Sequence, residues 1–120
     1  PKGETSHVPL GTLFGARSGD KGGCANLGVW AKDLDAFAFL SSFLTIEKLK
    51  ELMPDLKEFK IERFDLPNIL SLNFYIHDIL EDGVSSNSRK DAQAKSLGEY
   101  LRAKKANIPS SLLETLNESR

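Results

Sequence analysis

The sequence predicts an α+β protein, a two-layer sandwich in which helices cover one face of a four-stranded, mainly antiparallel sheet. Strand and helix signals follow one another along the 120 residues in the order ββαββα. The clearest signal is the segment Ile69 to Leu80, where apolar and polar residues alternate. One apolar and one polar face are typical of a strand in an antiparallel sheet that is covered on one side. The apolar face carries Leu70, Leu72, Phe74 and Ile76, and the polar face carries Ser71, Asn73, Tyr75 and His77.

Three further strands and a first helical region are predicted before that segment. Alternation predicts strands at His7 to Ala16 and at Asn26 to Lys32, and a third at Glu58 to Leu66. Helical spacing of apolar residues predicts a helix from Asp35 to Met53. Because threonine is a good N-cap, we expect a kink or break near Thr45 inside that helix.

The last predicted element is a helix from about Arg89 to Lys105, with Ser88 as its N-cap. Moving the first strand to the end of the chain would give βαββαβ, so the arrangement is a circular permutation of the ferredoxin-like fold. Such a sheet keeps one face free of helices. Because Trp30, Tyr75 and His77 would lie there, we expect an oligomer or an interdomain contact.

Length and composition predict one domain over residues 7–113, with a flexible leader at 1–6 and a loose tail at 114–120. The formal net charge of -1 argues against a nucleic-acid binder, which usually carries a basic excess. No apolar run reaches the roughly 20 residues of a membrane helix, and no signal peptide opens the chain. We therefore expect a cytoplasmic protein that binds neither membranes nor nucleic acids.

The most unusual segment is the glycine-rich link from Gly15 to Asn26, whose loop between the first two predicted strands spans about eight residues. Most hairpin loops span ~2–5 residues. Arg17 and Lys21 supply positive charge there, and glycine allows a ligand to approach the backbone closely. The segment matches neither the P-loop nor the dinucleotide-binding fingerprint. It predicts either a site for an anionic or carbonyl-bearing ligand or, alternatively, a plain turn with solvated side chains.

A second group of polar residues lies downstream and allows two interpretations. Asn68 and Asn73 either shape a turn and a solvent-facing strand or contact a ligand. Asp91 and Lys95 have the spacing of a helix-surface ion pair. Arg89, near the predicted helix N-terminus, would help the backbone amides there to hold an anion.

Neither the single cysteine nor the two histidines predict a reactive or metal site. One cysteine excludes an intrachain disulfide and a cysteine-based zinc site. Cys24 has no histidine near it in the sequence, because His7 and His77 are remote, and no ligand spacing supports a metal. We predict no metal, no cofactor and no catalytic cysteine.

Several motifs resemble the acyclic terpene utilisation (AtuA-like) family. The longest runs from Gly15 to Val29 and reads Gly-Ala-Arg-Ser-Gly-Asp-Lys-Gly-Gly-x-Ala-Asn-Leu-Gly-Val. A second runs from Leu66 to Phe74, and shorter ones lie at Gly83 to Ser86 and at Asp91 to Lys95. The segment from Leu97 to Arg102 completes the resemblance.

The resemblance covers Val8 to Pro109 and is to the small ferredoxin-like domain of the family. In other members this domain follows a larger domain, or it stands alone. The family is associated with breakdown of acyclic terpenoids through CoA thioesters, and the small domain has no assigned role. Its polar positions match Arg17, Ser18, Asp20, Lys21, Asn26, Asn68, Asn73, Asp91 and Lys95.

Two hypotheses follow for the function. The first is an accessory module that holds an acyl-CoA or other anionic ligand, or that docks a larger AtuA-type domain or chain, as a homo-oligomer. The alternative is a hydratase or lyase on a CoA thioester, with Asp20 as acid/base and Arg17 and Lys21 stabilising an enolate-like charge. The predicted ligand-binding residues are Arg17, Ser18, Lys21, Gly22, Gly23, Asn26, Asn68, Asn73, Arg89, Asp91 and Lys95.

Overall fold

The structure is a computed structural model that describes residues 4–79 and 96–118. Its strands are β1 (Thr5–Pro9), β2 (Gly15–Lys21), β3 (Cys24–Trp30), β4 (Ile61–Leu66), β5 (Ser71–Ile76) and β6 (Lys105–Pro109). Its helices are α1 (Leu34–Phe43), α2 (Ile46–Leu52), α3 (residues 96–103) and α4 (Ser110–Glu118).

Four strands form the main sheet in the order β2-β3-β5-β4, and every neighbouring pair is antiparallel. The alternation predicted for the fourth strand is confirmed, because Leu72, Phe74 and Ile76 are fully buried. The residues between them, such as Asn73 and Tyr75, point to the other side and are partly exposed.

Among the residues that the structure describes, the helices that contact this sheet lie against its apolar side. Buried residues of α1, α2 and α3 join the inward residues of β3 and β5 in one continuous core. The predicted α+β sandwich with helices on one face is therefore confirmed. The largest fully buried side chains are Phe74, Leu27, Leu40, Leu44, Leu49, Leu56, Leu72, Ile76, Leu97, Leu101 and Ile108.

The break predicted near Thr45 is confirmed. The Thr45 hydroxyl accepts a hydrogen bond from the Lys48 amide at 3.0 Å and begins α2. In the same way, the Asp33 carboxylate accepts from the Ala36 amide at 2.9 Å and begins α1. Hydrogen bonds from Lys32 and from that amide lower the pKa of Asp33, which keeps this N-cap ionised.

The predicted first strand, His7 to Ala16, is wrong as a single strand. Leu10, Leu13 and Phe14 are buried at the spacing of a helical turn, and a 3₁₀ turn at Leu10–Thr12 separates β1 from β2. The apolar residues of this short segment fit both the two-residue repeat of a strand and the three- to four-residue repeat of a helix. The pattern therefore could not distinguish the two structures. β1 instead pairs antiparallel with β6, about 100 residues away along the chain.

The prediction of a long loop between the two strands of this hairpin is also wrong. β2 continues to Lys21 and β3 starts at Cys24, so that only Gly22 and Gly23 connect them. Gly22 has φ +61°, which is the first-position conformation of a two-residue hairpin turn. The glycines and polar residues before the turn belong to an edge strand, where one face is open and side chains need not be apolar.

Other bounds shift by a few residues, and two elements were not predicted. β4 begins at Ile61 and β5 ends at Ile76. The helix predicted to reach Lys105 ends at residue 103, and its predicted portion at residues 89–95 lies outside the described residues. β6 and α4 follow it, so residues 114–118 of the predicted tail are helical, as Thr5 and Ser6 of the predicted leader belong to β1. Within the described part of the chain, no helix has the length and apolarity needed to cross a membrane.

Candidate functional site

The side of the main sheet that faces away from the helices forms one continuous surface, here called the open face. Strand register arranges twelve of its residues in three rows that run across β2, β3, β5 and β4, and Cys24 and His77 lie beyond the third row. The rows are Gly15, Trp30, Ser71 and Leu66; then Arg17, Gly28, Asn73 and Phe64; then Gly19, Asn26, Tyr75 and Glu62.

Three large apolar side chains are exposed at one end of the open face and are here called the apolar patch. Trp30, Phe64 and Leu66 are 41%, 49% and 42% exposed. Phe64 and Leu66 are neighbours on β4, and β5 separates them from Trp30 on β3. The indole of Trp30 lies directly over Gly15, where a Cβ atom would overlap the ring. Grouped exposed apolar side chains of this kind mark surfaces that bind something, whereas isolated ones do not.

The other end of the open face is polar and titratable. The His77 Nε2 atom hydrogen-bonds the Glu62 carboxylate at 2.9 Å, and the rings of Tyr75 and His77 are in edge contact at 4.9 Å. The Tyr75 hydroxyl hydrogen-bonds the Cys24 thiol, and this bond raises the pKa of Tyr75. Across residues 4–79 and 96–118, no three histidine, cysteine or acidic side chains are grouped as metal ligands.

The structure brings three of the predicted site residues onto this one face. Arg17 is exposed in the middle row, on the far side of Gly28 from Asn73, and Asn26 lies in the next row. The Oδ1 atom of Asn73 lies 3.7 Å from where a Cβ atom of Gly28 would be, so the amide partly covers the glycine. Gly19 has open space above it.

Ser18 and Asp20 lie on the opposite side of β2 from Arg17, because side chains alternate along a strand. The Ser18 hydroxyl accepts a hydrogen bond from the Gly98 amide at 2.9 Å and thereby joins α3 to β2. Asp20 is exposed and pairs across the ladder with the buried Ala25. The arrangement of Asp20 with Arg17 around one substrate, which the enzyme hypothesis needs, is therefore not formed on one face.

This geometry predicts that Ser18 stabilises the fold. We expect Ser18→Ala to lower the free energy of unfolding by about 1 kcal/mol, because the Gly98 amide loses its acceptor. Arg17→Ala, one residue away on the open face, should change it by less than about 0.5 kcal/mol. Urea unfolding of the two variants measures the difference, and equal stabilities would contradict the assigned role of Ser18.

Of the remaining predicted residues, those that the structure describes in full, Asn68, Gly22 and Gly23, lie outside the rows of the open face. Asn68 is exposed in a 3₁₀ turn after β4, and Gly22 and Gly23 form the hairpin turn. Lys21 ends β2, but its side chain is not among the parts of the chain that the structure describes. Arg89, Asp91 and Lys95 all lie outside the described residues.

The sequence interpretation missed the contribution of β4 to the open face. Ile61 is the buried residue of that strand, so the period of two places Glu62, Phe64 and Leu66 outward. The inward position of Arg63 is explained by its guanidinium, which donates to the Ser41 and Leu44 carbonyls at the end of α1. The sequence did contain a signal for this orientation. If Ile61 is buried, strict alternation places Arg63 on the same side and Phe64 on the opposite side.

The comparison with known families agrees with this architecture. Residues 8–107 match the model of the AtuA ferredoxin-like domain, which spans most of the chain. No curated protein and no solved structure was found to match the chain significantly. The chain therefore belongs to the AtuA ferredoxin-like domain family.

Proposed function

We propose that this domain is an accessory module that acts by binding a protein surface through its open face. The observation that carries the proposal is the apolar patch, in which Trp30, Phe64 and Leu66 are each at least 41% exposed at the same end of one sheet face. Burying such side chains stabilises a complex by roughly 25 cal/mol for each Å² of apolar surface removed from water. Aromatic residues are also the ones that most often dominate binding energy at interfaces.

The geometry of β2 and of the turn that follows it favours protein binding over the binding of an anion at the hairpin. The connection between β2 and β3 is two residues long, and Arg17 lies in mid-strand on a sheet face. Ser18, the neighbouring polar residue, is already bonded to the Gly98 amide on the helix side. These residues do not converge on one concavity, whereas the apolar patch and the amides of Asn26 and Asn73 share one surface.

The biological setting of this proposal comes from the family. An AtuA-type module would serve catabolism of acyclic terpenes through CoA thioesters, where a larger AtuA-type domain or chain is a natural protein partner. In that setting the small domain supplies a contact surface, and the chemistry of the CoA thioester belongs to the larger partner.

The experiment uses Trp30, which is the single tryptophan of the chain. Fluorotryptophan incorporated at that position gives one fluorine resonance on the open face. We expect a separately produced larger domain of a two-domain family member to shift this resonance with saturation in the wild-type chain. The variant Phe64→Glu should lose the shift, and Leu34→Glu, an exposed leucine on the helix side, should keep it.

Two outcomes would contradict the proposal. A resonance that responds neither to the larger domain nor to the concentration of the chain itself would mean that the open face binds no protein. A resonance that responds to a short-chain acyl-CoA alone, and loses that response in Arg17→Ala, would instead indicate a small-molecule site at the same surface.

A further inference from the structure

We infer that the open face binds a second copy of this chain, in a two-fold dimer whose axis runs along the strands between β3 and β5. The inference rests on the proposed function, because it concerns the same face, which a second copy would occupy when the larger domain is not bound. Such an axis exchanges β2 with β4 and β3 with β5 between the two copies. Each residue of a row then meets a defined residue of the same row in the second copy.

The first row is apolar where the two copies meet. Leu66 of one copy faces the Gly15 position of the other, which the indole of Trp30 covers, so that the leucine packs on the indole. The position opposite Trp30 on β3 is Ser71 of the second copy. Two sheets that pack face to face in this way lie about 10 Å apart.

The second and third rows are complementary in chemistry. Arg17 meets Phe64 of the second copy, which is a cation–π pair formed twice across the axis. Asn73 meets Gly28, which the amide of Asn73 in the same copy partly covers, and Asn26 meets Tyr75. Glu62 meets Gly19, which has nothing within 4 Å of its Cβ position. No two like charges of these three rows face one another, and the positions of Lys21 and Lys60, which the operation also sets opposite each other, lie beyond these rows at the sheet edges.

The size of the face predicts a weak dimer. Four strands about 4.8 Å apart and about 23 Å long give a plane of roughly 19 × 23 Å. Two such planes bury roughly 900 Å² before side-chain relief is counted, which approaches the lower limit of stable interfaces. We therefore expect a dissociation constant on the order of 10–100 µM.

Sedimentation velocity of the full chain, from about 5 to about 500 µM, tests the inference. The wild-type chain should pass from monomer to dimer over this range. Phe64→Glu should raise the dissociation constant by at least about 30-fold, the change that corresponds to loss of a dominant interface residue. The control Leu34→Glu makes the same type of change on the helix side and should dimerise normally.

A rescue experiment separates this interface from any general effect on folding. Arg17→Glu and Phe64→Arg should each weaken the dimer, and the double variant Arg17→Glu/Phe64→Arg should restore it, because the two positions face each other across the axis. Thermal unfolding at a concentration well below the dissociation constant verifies that each variant folds.

Three results would overturn the inference. They are a chain that stays monomeric at every concentration, a dimer that Phe64→Glu leaves intact, and a double variant that is no better than either single one. A monomeric chain whose Trp30 fluorine resonance still responds to the larger domain would leave the proposed function standing. A monomeric chain with no such response would contradict both.

Discussion

Gly98→Val is expected to lower the free energy of unfolding by about 3 kcal/mol, because α3 packs backbone against backbone on β2 at this point. A Cβ atom at Gly98 would lie 3.2 Å from the Ala16 carbonyl carbon and 3.2 Å from the Arg17 nitrogen. Neither atom belongs to a flexible side chain, so the helix itself would have to move. That movement would also lengthen the hydrogen bond from the Gly98 amide to Ser18.

The matched control is Gly19→Val. It places the same side chain on the open face of β2, the strand against which α3 packs. Nothing lies within 4 Å of the Cβ position of Gly19, and β-branched residues suit a strand. Its stability at low protein concentration should therefore equal or exceed that of the wild type. Urea unfolding of the two variants gives the comparison, and equal losses would contradict the close packing of α3 on β2.

Arg63→Met is expected to lower the free energy of unfolding by about 2 kcal/mol. The Nη1 atom of Arg63 donates to the Ser41 carbonyl at 3.0 Å and to the Leu44 carbonyl at 2.9 Å, both at the C-terminal end of α1. Carbonyl groups at that end have no partner within the helix, and the positive charge also suits the helix dipole. Methionine keeps the length of the side chain and removes the donors.

The same substitution has a predicted pH dependence. The hydrogen bonds and charge of Arg63 lower the pKa of the Asp65 carboxyl, so their pairing stabilises the fold above the unfolded-state pKa. That contribution is lost as the pH falls through the lowered folded-state pKa. The difference between wild type and Arg63→Met should therefore shrink in acid. Lys60→Met, exposed on the approach to β4, should have little effect at any pH. A difference that grows in acid would contradict the pairing.

The parts of the fold that follow from local pattern could be predicted from the sequence. β5 alternates cleanly because one face is buried and the other is open, and Thr45 caps a helix by a contact three residues away. The pairing of β1 with β6 joins residues such as Thr5 and Pro109, which no short pattern connects. β6 and α4 depend on that long-range contact, and the sequence analysis therefore missed both.

The open face was harder to predict because its residues do not look like a strand. Arg17 and Gly19 were interpreted as a loop, although an edge strand with one uncovered side tolerates glycine and charge. Phe64 and Leu66 would be assigned to the core on hydrophobicity alone. They face outward because Arg63 turns inward to bind the end of α1. Asn26 and Asn73 were predicted as site residues, and only the register shows that they share a face.

The open face is proposed to pair with a second copy of this chain. Backbone amide resonances, followed by NMR while the chain is concentrated from about 10 µM to about 1 mM, test it most directly. We expect shifts that saturate and that concentrate at Arg17, Gly28, Trp30, Phe64 and Asn73. Resonances that stay unchanged over the whole range, or shifts confined to α1, α2 and α4, would contradict it.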